Sequence, residues 1–244
     1  FYMDQIFISY KKSQITFSEF YATTMAKLLE VPMEKFHVVP LGIDCSELSL
    51  LNRVDTRPST MGYFGRIAPE KGFDQVVDAF IRLHKEKKLN TAYFKAGGWL
   101  GENNREYFSA QENRIKAAGL KEHFEYIGSP DWQGKMDFLA SIDVFSMPTA
   151  EREPKALPVL EALASGVPVV QPAHGIFPEM LDKTGGGILF SPENPASLTD
   201  CLENLISNPD RARQLGQEGR EGVNKKCTAG HMASHTLDVY QQFL

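Results

Sequence analysis

The sequence predicts an α/β fold, a doubly wound parallel sheet with helices on both faces. Three observations carry that expectation. Short runs rich in β-branched and aromatic residues recur through the chain, as strands do. Most are separated by longer stretches of helical periodicity. Proline-rich stretches near 148–158 and 168–178 fall just beyond short apolar runs, where the loops of such a sheet approach a ligand.

Taken in order, the strands are expected at 37–40, 60–64, 92–96, 124–127, 144–147, 167–171 and 187–190, all in one parallel sheet. The helix over 73–87 is expected because apolar residues at 73, 76, 77, 80, 81 and 83 nearly form a 3.6-residue stripe. Stretches 103–118, 135–141, 158–165 and 195–207 also suit helices, and a closing helix ends near Tyr240 and Leu244. Crossovers between parallel strands are expected to be right-handed.

Composition narrows the function. A chain of 244 residues holds one large domain or two small ones, at roughly 150 residues each. Thirty-one acidic against 26 basic residues, a formal net charge of -5, argue against a general nucleic-acid surface. Apolar residues at 42% and charged residues at 23% sit within the globular range. No apolar run reaches the roughly 18 to 20 residues of a membrane helix, and no signal peptide opens the chain. Cys45, Cys201 and Cys227 match neither a disulfide framework nor a metal site, so a cytoplasmic location is expected.

Three segments carry chemistry. In the first, a strand ends at Gly65, and Arg66 and Lys71 follow on a loop entering a helix. There a guanidinium fork and a mobile ammonium could converge on one anion; the plainer reading is a pair of solvated surface cations. In the second, Pro158 suits the first turn of a helix. The amides near 155–157 would then point out of a helix N-terminus, a seat for phosphate. Glu153 precedes that turn and Glu161 lies about one turn inside it, so two carboxylates could serve different ends of one ligand. Their plainer reading is a charged loop and an exposed helix residue. In the third, His174 beside Gly175 could donate to a ligand at another strand-to-helix junction, or could simply be solvated.

Together these segments resemble the C-terminal domain of the retaining, GT-B-fold glycosyltransferases of family 4, the glycosyl transferases group 1. The family's Gly-Arg, short loop and Lys-Gly stand here as Gly65-Arg66 and Lys71-Gly72, and its E-x7-E signature as Glu153 and Glu161. The runs Leu157-Pro158-Val159-Leu160-Glu161-Ala162 and Gly166-Val167-Pro168-Val169-Val170 follow. Further matches are His37-Val38-Val39-Pro40-Leu41-Gly42-Ile43-Asp44, Tyr126-Ile127-Gly128 and Gly186-Gly187-Ile188-Leu189-Phe190. The resemblance covers about residues 14–244 and leaves a lead-in, residues 1–13, unplaced.

The resemblance implies a Rossmann-like domain, the C-terminal half of a GT-B enzyme, that binds a nucleoside diphosphate sugar. Arg66 and Lys71 would hold the diphosphate and stabilise the leaving group. Glu153 would meet the transferred sugar and Glu161 the ribose hydroxyls. Pro154, Lys155, Ala156 and Leu157 would cradle sugar and phosphate, Gly128, Ser129 and Pro130 would flank the base, and His174 would complete the donor site. The family needs no metal or organic cofactor, and transfer retains the anomeric configuration. The acceptor, whether sugar, lipid or small molecule, would be chosen by an N-terminal domain that this chain lacks, and any membrane attachment would belong to that domain. One departure stands out: the usual Gly-Phe-Gly after the first Glu is Pro154-Lys155-Ala156, which adds a cation and removes two glycines. Two alternatives share the fold expectation, a nucleotide-sugar-binding module without catalysis and a nucleotide-sugar epimerase. A dinucleotide oxidoreductase lacks its G-x-G-x-x-G, a P-loop enzyme has Met136 where Ser or Thr belongs, and a serine hydrolase lacks G-x-S-x-G.

Overall fold

The structure, a computed structural model, describes residues 13–51 and 59–244. Of the unplaced lead-in, residues 1–12 lie outside the described residues.

The chain first makes a small parallel pair, β1 (Gln14–Thr16) and β2 (Phe36–Val38), joined by α1 (Glu19–Leu29). Ser18 caps α1 by accepting from the Tyr21 amide at 3.1 Å. The main sheet then runs β3 (Thr60–Phe64), β4 (Tyr93–Gly97), β5 (Phe124–Tyr126), β6 (Val144–Phe145), β7 (Val169–Pro172) and β8 (Gly187–Phe190), every neighbouring pair parallel. Its spatial order is β5-β4-β3-β6-β7-β8. Strand order thus reverses between β3 and β6, the switch point beyond which ligands bind in such sheets.

The expected strand at 37–40 does not join this sheet. It shortens to β2 and pairs with β1 alone, in a separate two-stranded sheet. Val39 donates its amide to Thr16 O at 2.8 Å, and Pro40, which has no amide, ends the ladder.

Seven further helices follow the strands: α2 (Phe73–Lys85), α3 (Arg105–Ala117), α4 (Trp132–Ala140), α5 (Leu157–Ala164), α6 (Phe177–Thr184), α7 (Ser197–Ser207) and α8 (Pro209–Lys226), and α9 (Ala229–Gln241) closes the chain. α2 packs against α3 and α7 on one face of the sheet, while α5 and α6 pack against α8 on the other. α4 begins three residues earlier than its apolar residues indicate, because the Asp131 side chain accepts from the Gly134 amide and caps it. α8 is the helix that composition hides. Gly216, Gly219 and Gly222 look unhelical, yet a Cβ at Gly216 would lie 2.1 Å from Gly166 O and one at Gly222 2.0 Å from Thr184 O. They are a contact stripe where α8 lies directly on backbone.

The core on the α2 face is aromatic. Phe73, Phe80 and Phe94 are fully buried, and ring centroids of Phe73 and Phe94 stand 5.9 Å apart, those of Phe80 and Phe94 5.6 Å. Phe94 is the second residue of β4 and packs against Phe73 and Phe80 of α2. Phe94→Ala should therefore lower unfolding stability by about 3–5 kcal/mol, read from the urea midpoint at constant m-value.

Candidate active site

The carboxyl ends of the strands are latched to one another. Gly65 donates its amide to Gly97 O at 3.0 Å, Ile67 to Trp99 O at 2.9 Å and Gly98 to Gly128 O at 2.7 Å. The Tyr126 hydroxyl adds a bond to Gly98 O at 2.7 Å. This closeness is why residue 98 is glycine: its φ is +121°, and a Cβ would fall 1.9 Å from Gly65 O.

Beyond these ends lies an open cavity of about 410 Å³, lined among others by Arg66, Trp99, Ser129, Pro130, Lys135 and Pro158. Trp99 and Trp132 stand at its rim, both with much of the ring in solvent. The loop after β6 joins it from the α5 side. Ala150 and the Thr149 hydroxyl donate to Glu70 O at 3.1 and 2.8 Å, tying that loop to the one after β3.

Glu153 is where three loops meet. Its Oε2 pairs with Lys71 Nζ at 2.5 Å. Its Oε1 faces the amides of Lys155 and Ala156, each at 3.4 Å, so the carboxylate occupies the amides that open α5. Its carbonyl accepts from the Ile176 amide at 2.9 Å, bringing in the loop after β7. Glu153 is buried, at 9% exposure.

Two further cation–carboxylate pairs stand nearby. Arg66 pairs with Glu70 on its own loop, in contact with solvent. Lys135 Nζ lies 2.5 Å from Glu161 Oε2, with side chains only 18% and 14% exposed. Although ion-paired, that Glu161 oxygen is buried without a directed hydrogen bond. The site is thus a set of three cation–carboxylate pairs, two of them largely shielded from solvent.

Not every expected residue faces the cavity. Lys155 sets its ammonium 5.2 Å from the Phe17 ring centroid, and so packs on the segment between β1 and α1. His174 is half-buried with Nδ1 free of hydrogen bonds, and it lies beside the loop of Glu153. Burial, and then the positive charge of Arg152, hold its pKa below the usual 6.5. Pro154 and Leu157 flank the turn into α5, where Ala156 is the N-cap. Gly128 precedes the two cavity residues Ser129 and Pro130 and has φ +72°. Sequence reasoning missed Lys135, Trp99 and Trp132. The sequence offered a cation and an indole just past the strand ends, but no spacing that tied them to the others. Among the described residues, no three or more His, Cys, Asp or Glu side chains group as metal ligands, and no helix is long and apolar enough to cross a membrane.

Glycosyl transferases group 1 is the family whose pattern matches this chain, over residues 52–222. The chain belongs to that family. Its Rossmann-like sheet is that of GT-B glycosyltransferase domains. It is 26% identical over 229 residues to MMP alpha-(1->4)-mannosyltransferase of Mycolicibacterium hassiacum, covering 93% of this chain and 53% of that protein. The chain spans about half the length of the curated relatives it matches. A C-terminal domain of a glycosyl transferase group 1 protein (LpcC) from Francisella tularensis superposes with a TM-score of 0.67 at 24% identity, over 77% of this chain and all of that one. Anabaena Alr3699/HepE in complex with UDP-glucose gives a TM-score of 0.78 at 17% identity, over 95% of this chain and 63% of that one.

Two outcomes follow for the loop after β6 and for His174. Ala156 holds a left-handed conformation, φ +54°, which strains a residue with a Cβ. Ala156→Gly should raise stability by about 1 kcal/mol in urea unfolding. A histidine with a lowered folded pKa binds fewer protons folded than unfolded, so its contribution is full above the usual 6.5 and is lost as pH falls. His84, likewise lowered by burial, adds to the same slope. The thermal midpoint should drop as pH is taken from about 6.5 to 5, and His174→Asn should make that drop shallower.

Proposed function

We propose that this chain is the donor-binding half of a retaining, family 4 glycosyltransferase, which transfers a sugar from a nucleoside diphosphate sugar to an acceptor. The observation that carries the reading is the convergence of Arg66, Lys71, Glu153 and Glu161 on one end of the sheet, in a chain of this family. A sugar nucleotide presents a diphosphate, sugar hydroxyls and ribose hydroxyls, and those four side chains offer cations for the first and carboxylate acceptors for the others. That HepE was solved with UDP-glucose supports this class of ligand.

In this reading Arg66 and Lys71 leave their carboxylate partners for the diphosphate. There they balance the negative charge that grows on the leaving group as the glycosidic bond breaks, the work a divalent ion would otherwise do. Glu153, released from Lys71, turns to the hydroxyls of the transferred sugar and orients it. Glu161 accepts from the ribose. Ser129 and Pro130 flank the base, and the amides of Lys155 and Ala156 pass from Glu153 to the ligand. His174 supports the loop beside the sugar. A preceding domain, outside this chain, supplies the acceptor site; the acceptor is a sugar, a lipid or a small molecule. The unpaired cysteines suit a cytoplasmic location.

The test begins with binding. A nucleoside diphosphate should bind the 244-residue chain in the presence of EDTA, and Arg66→Ala or Lys71→Ala should weaken it by about ten- to a hundredfold, since charge-assisted bonds are the strong ones. Unchanged calorimetric affinity in both variants returns the pair to surface charge. In the longer protein, Glu153→Gln should lower kcat strongly with little change in nucleotide affinity, whereas Glu161→Gln should weaken nucleotide binding. Wild-type turnover in Glu153→Gln would leave a nucleotide-sugar-binding module in place of the enzyme.

A further inference from the structure

Lys135 lies outside every motif that the sequence presents, yet it is the cation set deepest against the cavity. It stands on the first turns of α4, whose position is fixed at two points. Asp131 caps the helix, and Phe138 packs on Phe64 at the end of β3, ring centroids 5.4 Å apart. Its ammonium lies 4.9 Å from the Phe64 ring centroid and 6.0 Å from that of Trp132, so two aromatic faces confine it. From there it pairs with Glu161 across the gap between α4 and α5. Arg66 and Pro158 line the same cavity.

We propose that Lys135 is a positioning residue for ribose recognition: it aims Glu161 at the nucleotide's hydroxyls and balances its charge beside a diphosphate. This rests on the reading of the site as one for a nucleoside diphosphate. A carboxylate next to an anionic ligand repels it unless a fixed cation offsets the charge, and the repulsion is larger in a half-enclosed cavity than in water. The confined Lys135 supplies that offset without reaching for the phosphates. Lys135 engages Glu161 through Oε2, which is buried, so Oε1 is the oxygen that a ribose hydroxyl can meet. The pairing does not consume the group it positions.

The experiment compares ribose with 2′-deoxyribose. Calorimetry of the 244-residue chain with UDP and GDP, each against its 2′-deoxy counterpart, measures how strongly the hydroxyl is read. The wild type should prefer the ribose form of the nucleotide it binds by about tenfold, the scale of one hydrogen bond to a charged group. Lys135→Met should remove most of that preference, and Lys135→Arg should restore part of it. Arg66→Ala should weaken both forms alike and leave the ratio unchanged. A Lys135→Met ratio equal to wild type overturns the proposal, as does an equal loss for both forms, which would make Lys135 a phosphate cation. A wild type that binds none of the four nucleotides overturns the donor reading itself, and the proposal with it. Circular dichroism melts of both variants show whether either has lost its fold; if Lys135→Met has, Lys135→Gln takes its place and the same ratio decides.

Discussion

The pairing of Lys71 with Glu153 is the contact on which the rest of the site depends. Loops following β3, β6 and β7 come from different parts of the sequence, and Glu153 is bound to all three: by Lys71, by the amides that open α5 and by the Ile176 amide. A buried carboxylate without such partners would be strongly destabilising. Its burial is therefore tolerable only when the three loops sit where they do. The strained Ala156 belongs to the same arrangement, since its left-handed turn aims the two amides at Oε1.

Most of the fold could be read from the sequence because its elements are written in pattern. α2 has a continuous apolar stripe, and Phe73, Val76, Val77, Phe80 and Leu83 are all buried. β3 and β7 are short apolar runs and are buried along nearly their whole length. The segments that escaped have weak patterns. β1 is three residues long, and α1 buries only Ala22. α8 is polar and glycine-rich, and is helical because its glycines allow backbone contact with neighbouring turns, a property of packing that propensity cannot express.

The site was legible in part for a related reason. Arg66, Lys71, Glu153 and His174 could be placed because each lies between a strand and the next helix, where such sheets work, and Glu161 because it lies one turn inside α5. What could not be read was pairing. Lys71 and Glu153 are 82 positions apart, and the link from Lys135 to Glu161 depends on how α4 and α5 lie against each other. Lys155 shows the converse. By position it belongs with the phosphate-facing turn, yet it lies on Phe17, because the ring between β1 and α1 offers its long side chain a surface.

Three cations that are already neutralised have a consequence for the approach of a ligand. Charges paired within a few ångströms cancel at distance, so the site projects little potential into solvent, and the chain as a whole carries net negative charge. These three pairs therefore add little to the kind of long-range field that accelerates association of an anion and fades with added salt. In the donor reading the anion's attraction begins at contact, when phosphate oxygens replace Glu70 and Glu153 on Arg66 and Lys71 while Lys135 keeps its own pair. In that reading, capture waits on the opening of those internal pairs, and ionic strength acts through that opening.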